Sequence, residues 1–257
     1  MIELYISILP VFLVAYYIYN KDKDKEPIKL LIKLLLGGVC SCFVVIVISG
    51  IFDMIFPIFN ITDTTTLNIS QRFLYAFLGV AIIEETCKFF FLHLFSYNHK
   101  EFDTLFDMIV YSVFVSLGFA AFENIFYVLE GGILTGLLRA VTAIPLHSCA
   151  GVFMGIFLGK AKLLKINNTS GSLKNKILAI LVPTLMHGIY DFFAFTGTIF
   201  SLLVLIFIVV VFIIVTLTYI NKKYKNDIII KFKNNFCSNC GEKVIGPYCS
   251  NCGNKTY

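Results

Sequence analysis

The sequence predicts an all-α, multi-pass membrane protein: a seven-span helical bundle followed by a small cytoplasmic zinc ribbon. Three observations predict it. Of 257 residues, 58% are hydrophobic and 14% charged, with a mean hydropathy of +0.85; a soluble globular chain carries about 25% charged residues. Apolar runs of bilayer-spanning length recur along the chain between polar or lysine-rich loops. The C-terminal residues 236–257 break this pattern with two Cys-x-x-Cys-Gly knuckles.

The first span covers residues 2–19. It lacks a basic start and a small-residue cleavage site, so it reads as a retained helix rather than a signal peptide. The charged loop Asn20–Lys29 follows, and Pro27 suits the first turn of the next helix. The second span is residues 34–56. The stretch 57–71 is polar, rich in Thr and Asn, and free of lysine. The third span is 73–95. Asp103 or Thr104 can cap the fourth, 105–129. Gly131, Gly132 and Gly136 mark a turn, and the fifth span is 138–158. A basic loop leads to the sixth span, 177–195. The seventh, 200–220, is purely apolar and reads as a lipid-facing anchor outside any polar site. Residues 221–235 form a basic linker.

Charge sets the orientation. Lysines cluster after the first, third, fifth and seventh spans, whereas the alternate loops offer only Arg72 and Arg139. Lysine-rich loops face the cytoplasm, so the N-terminus lies outside and the C-terminus inside a plasma membrane. The same pattern explains the net charge of +5 as topogenic, so no nucleic-acid partner is expected. The bilayer itself is the first partner.

The C-terminal knuckles are Cys237-x-x-Cys240-Gly and Cys249-x-x-Cys252-Gly. Four thiolates at this spacing suit a tetrahedral structural zinc. Cytoplasmic thiols stay reduced, which disfavours a disulfide loop. A module this small reads as a docking piece for a cytoplasmic protein partner. Cys40, Cys42, Cys87 and Cys149 are scattered in apolar runs and read as small packing residues.

Ionisable groups inside the apolar runs carry the functional signal. Glu84, Glu85 and Lys88 interrupt the third span; Glu123 and Asn124 the fourth; His147 the fifth; His187 and Asp191 the sixth. Each such group at mid-membrane costs about 2.5–3.5 kcal/mol on insertion scales. Glu84 and Lys88 share a helix face, as do His187 and Asp191. Read singly, each group has a bland account: an ion pair locking two helices, an interhelical hydrogen bond, a satisfied core histidine. Together they point to an enzyme site or a transport path. The fold is missing H-E-x-x-H, a serine-nucleophile glycine motif and G-x-G-D. Cys149 lies about 200° round the helix from His147, so a Cys-His dyad is poor.

At these residues the sequence resembles the PrsW family of intramembrane proteases, within the larger group that holds the type II CAAX prenyl proteases and bacteriocin-processing proteins. The matching segments are EETCK at Glu84–Lys88, FAAFENIFY at Phe119–Tyr127, RAVTAIPLH at Arg139–His147 and HGIYD at His187–Asp191. The opening PVFLVAYYIYNKDKDKEP also resembles the family's first helix and Glu-Pro loop. The likeness spans residues 10–195, leaving the last span and the ribbon outside. It implies a bacterial source and peptide-bond hydrolysis by a glutamate-activated water, with a catalytic metal left open. The prenyl proteases carry F-x-x-x-H and H-x-x-x-N, where this chain has Glu123 and Asp191.

The implied site is therefore Glu84 as general base with Glu85 as its close second, His147 and His187 for proton transfer and oxyanion stabilisation, and Glu123 and Asp191 as orienting groups. Lys88 and Asn124 complete the set. The implied substrate is a membrane-anchored protein, such as a single-pass regulator of the anti-sigma kind. Three alternatives stand beside it. One is a protease that uses the same residues as metal ligands. Another is a non-enzymatic scaffold or bacteriocin-immunity protein docking through the ribbon. The last is a proton-coupled transporter, which the lack of an inverted repeat disfavours.

Overall fold

The structure is a computed structural model that describes residues 2–57, 61, 63–225, 237, 239–240, 242 and 249–254. Most of the expected linker and much of the ribbon lie outside the described residues. All regular elements among the described residues are helical: α1 (Ile2–Lys21), α2 (Ile28–Ile55), α3 (Ile69–Leu74), a π-helical segment (Tyr75–Ala81), α4 (Ile82–Ser96), α5 (Leu105–Val141), α6 (Ala143–Ile166), α7 (Ser172–Ala194) and α8 (Ile199–Lys225).

Among the described residues, four stretches are long and apolar enough to cross a membrane: Ile28–Ile55, the near-continuous Leu105–Ile166, Ser172–Ala194 and Ile199–Lys222. The expected third span falls short of that measure for a physical reason. It is broken into α3, the π segment and α4, and it carries Glu84, Glu85 and Lys88.

Helix α5 is the axis of the bundle. Thr104 caps it, accepting from the Asp107 amide while Asp107 accepts from the Thr104 amide. From Leu105 to Ala120 every residue is buried, because α1, α2, α4 and α6 all pack around this stretch. The outer helices behave oppositely. Ile46, Val47 and Ile51 on α2 and Leu203, Phe207 and Ile214 on α8 are exposed, as a lipid-facing surface requires. One side of α8 is buried: Leu205 and Val209 pack with Ala143, Leu146, Met186 and Tyr190 of α6 and α7.

The expected turn at Gly131–Gly136 is present. Gly132 leaves helical geometry, at φ +74°, a conformation open to glycine at little cost, and the chain doubles back there: Gly136 lies against Val128, and Arg139 against Asn124 and Tyr127. The return leg passes a short break at Thr142 into α6, which runs back along the start of α5.

Loop partners meet at two ends of the bundle. At one end Lys21 donates to Asn221 and Lys162 to Asn98. At the other Arg72 donates to Thr196 Oγ1 and to the carbonyls of Thr65 and Leu67. The first group involves all four lysine-bearing segments; the second joins two lysine-poor loops.

Candidate active site

The ionisable residues singled out in the sequence converge from four helices. The π segment sets up the first of them. It ends at Ala81, three residues before Glu84, and its wider turn changes where the following helix aims its side chains. Phe77 in that segment lies against Gly188 of α7, where a Cβ would stand 2.5 Å from the ring. Glycine leaves room for the ring at that point, next in the chain to His187, which meets Glu85.

The core of the cluster is an ammonium held by two carboxylates and an imidazole. Lys88 Nζ lies 2.7 Å from Glu85 Oε1, 3.4 Å from Glu84 Oε2 and 3.1 Å from His147 Nδ1. It also sits 3.8 Å from the Phe119 ring centroid, a favourable cation–π placement. His187 Nδ1 is 2.9 Å from Glu85 Oε1 and 3.8 Å from Glu84 Oε2. On its far side His187 Nε2 faces Asp191 Oδ2 at 3.4 Å, the i, i+4 pairing expected from the sequence. The His147 and His187 rings meet edge to face with centroids 5.0 Å apart.

A second arm continues from His147. Its Nε2 lies 2.9 Å from Glu123 Oε2, and Arg139 reaches the same oxygen at 2.8 Å. Arg139 Nε donates to Asn124 Oδ1 at 2.9 Å, and Asn124 Nδ2 donates to the Ser7 carbonyl at 3.0 Å. Asn124 therefore faces α1 and Arg139 rather than the reacting space. Arg139 is the residue that a search for intramembrane charges missed. It belongs to a matched segment and stands at the very start of the predicted fifth span, where it counts with the loop charges that set the orientation.

A cavity of about 380 Å³ opens beside these groups, lined by Glu84, Glu123, Arg139, His147, His187 and Asp191, with Tyr127, Tyr190 and Thr64 at its walls. The two adjacent glutamates divide here. Glu84 lines the cavity and keeps 8% exposure, while Glu85 and Lys88 are at 0%. Lys88, Glu85 and Asn124 stand behind the cavity wall.

The donors also bear on a metal. Ligand atoms of Glu85, His147 and His187 lie within 4.8 Å of one another, and two imidazoles with a carboxylate are a catalytic zinc set by type. Their arrangement does not fit an ion. Lys88 holds the cation position among them, and both ring nitrogens of His147 have partners.

A second candidate metal centre lies in the tail. The sulfurs of Cys237, Cys240, Cys249 and Cys252 lie within 4.8 Å of one another. Cys237–Cys252 and Cys240–Cys249 are each separated by 3.5 Å, close to the edge of a tetrahedral thiolate set of about 3.8 Å. Cys237 N donates to the Glu242 carbonyl and Cys249 N to the Asn254 carbonyl, closing two matching turns. Gly253 takes φ +69°, as the knuckle's turn requires. These donors fit a metal ion.

Comparison with known proteins gives the family. The model of the PrsW family, described as an intramembrane metalloprotease, matches residues 26–218; the four tail cysteines lie beyond it. A Protease PrsW of Oceanobacillus iheyensis is 38% identical over 188 residues, covering 72% of this chain and 80% of that protein. The Bacillus subtilis Protease PrsW is 33% identical over 187 residues, 72% and 79% of the two chains. That of Clostridioides difficile is 30% identical over 192 residues, 73% and 76%. No solved structure matches. Between the enzyme and the scaffold or transporter expected from sequence, these relatives decide for the enzyme: the chain belongs to the PrsW family and is a membrane protease.

Proposed function

We propose that this protein is an intramembrane endopeptidase that hydrolyses a peptide bond of a membrane-anchored protein, with Glu84 activating the water. The observation that carries this reading is the division between the paired glutamates. Glu84 reaches the cavity and is held only loosely, at 3.4 Å, by Lys88. Glu85 is sealed and bonded to both Lys88 and His187. A base must reach its water, so Glu84 has the position for the role.

In the proposed reaction a water in the cavity gives its proton to Glu84 as its oxygen attacks the scissile carbonyl. His147 and His187 stabilise the oxyanion by turning an N–H from its carboxylate partner toward it, and the proton held by Glu84 passes through His187 to the leaving nitrogen, which returns Glu84 to its starting form. Glu123 orients His147, and Asp191 orients His187. Lys88 and Glu85 form the buried frame that fixes both histidines. Asn124 holds Arg139, and Arg139 holds Glu123.

The topology belongs to the same proposal: seven spans over residues 1–220, N-terminus outside, a linker at 221–235 and a cytoplasmic zinc ribbon at 236–257. The lysine pattern supports it, as does the meeting of lysine-rich segments at one end of the bundle. Thr64, Tyr127 and Phe195 at the cavity lie toward the opposite end, so the substrate, a single-pass regulator such as an anti-sigma factor, would be cut near the outer face. The tail would hold zinc and offer a docking piece to a cytoplasmic partner.

A metal-dependent protease is the competing reading, favoured by the family description and by the Glu85, His147 and His187 donor types. It requires Lys88 to leave their midst. The separating experiment uses the full chain with all four tail cysteines replaced by serine, so that no ribbon metal confuses the result. Cleavage of a membrane-anchored substrate that survives prolonged chelation supports the glutamate mechanism. Activity lost on chelation and restored by zinc contradicts it.

A further inference from the structure

At the end of the bundle opposite the cavity, three carboxylates meet away from water. Asp22 and Glu26 come from the loop between α1 and α2, and Asp107 from the first turn of α5. Their ligand atoms lie within 4.8 Å of one another, and all three residues are buried. A fourth, Asp103, is close enough to act on both Glu26 and Tyr111.

Structure explains Asp107, which accepts from the amides of Asp103 and Thr104. It partly explains Asp22, which accepts from Asp24 N. It does not explain Glu26. That side chain is 5% exposed, and its Oε2 makes no hydrogen bond. A second group points into the same place. The Tyr111 hydroxyl on α5 is at 0% exposure and turns toward Glu26. A buried carboxylate with an unpartnered oxygen is costly. Oxygen-only donors of one charge suit a hard divalent cation, whose ligand shell has a radius of about 2.0–2.6 Å.

We propose that Asp22, Glu26 and Asp107 form a site for a hard divalent cation, calcium or magnesium, that fastens the α1–α2 loop to the start of α5. The ion would be structural. It would fix α1, whose Ser7 carbonyl receives Asn124 behind the active site, and it would take no part in the hydrolysis.

The test uses the full chain in detergent, stripped of divalent ions, then titrated separately with calcium and with magnesium. Saturable binding of one equivalent is expected for at least one ion. At a hundredfold excess over Kd, Tm should rise by about 5–10 °C. Glu26→Gln keeps the side chain's size and an oxygen toward Tyr111 but removes the carboxylate, so the fold should persist while binding and the Tm rise are lost. No saturable binding of either ion, or a Tm rise of equal size in Glu26→Gln, overturns the proposal.

Discussion

Two buried ionic clusters lie at opposite ends of this bundle, and they differ in sign. The one at the cavity mixes charges: Glu84, Glu85, Glu123 and Asp191 are set against Lys88 and Arg139, with two histidines between them. The other brings three carboxylates together, Asp22, Glu26 and Asp107. A mixed cluster supplies its own counter-ions and can remain in a membrane protein with its geometry fixed from within. Gathered carboxylates repel one another and favour a bound cation. The cavity cluster therefore reads as machinery, and the acidic one as a fastening that an ion completes.

Breaking the internal counter-ion should show the largest stability effect. Lys88→Met leaves Glu85 at 0% exposure without its closest partner. We expect a loss of about 3–5 kcal/mol, seen as a lower Tm in detergent and a reduced folded yield. A parent-like Tm would mean that the cluster is not held together by that ammonium.

Arg139→Lys sharpens the same comparison with a smaller effect. The charge remains, but the planar fork that reaches Glu123 and Asn124 together is lost. Arg139 is a positioning residue, so kcat should fall by about tenfold while KM and Tm stay near the parent. A fall in Tm with kcat unchanged would make its role purely structural.

Much of the cavity cluster was legible in the sequence, because a charge inside an apolar run is conspicuous whatever the fold. Glu84, Glu85, Lys88, Glu123, His147, His187 and Asp191 stood out this way, and the structure brings them together. Helical periodicity also paired His187 with Asp191. It could not give the rotation of one helix against another, so it did not separate cavity-lining Glu84 from sealed Glu85, or turn Asn124 toward α1. Nor did it show the π segment, whose residues Tyr75–Ala81 are as apolar as any helix. The acidic cluster was hidden for another reason. Asp22, Asp24 and Glu26 alternate with lysines in NKDKDKEPIK, which reads as a solvated loop. Only packing against α5 buries two of these acids beside Asp107, far along the chain.

The central claim is that Glu84 accepts the water's proton. Glu84→Gln keeps the size and hydrogen-bonding capacity of the side chain and removes the base. The amide is also cheaper to bury than a carboxylate, so the protein should fold. Measured together in detergent, folded yield should match the parent while cleavage of a membrane-anchored substrate falls by about 10²–10⁴. A well-folded Glu84→Gln protein that cleaves at the parent rate would contradict the account.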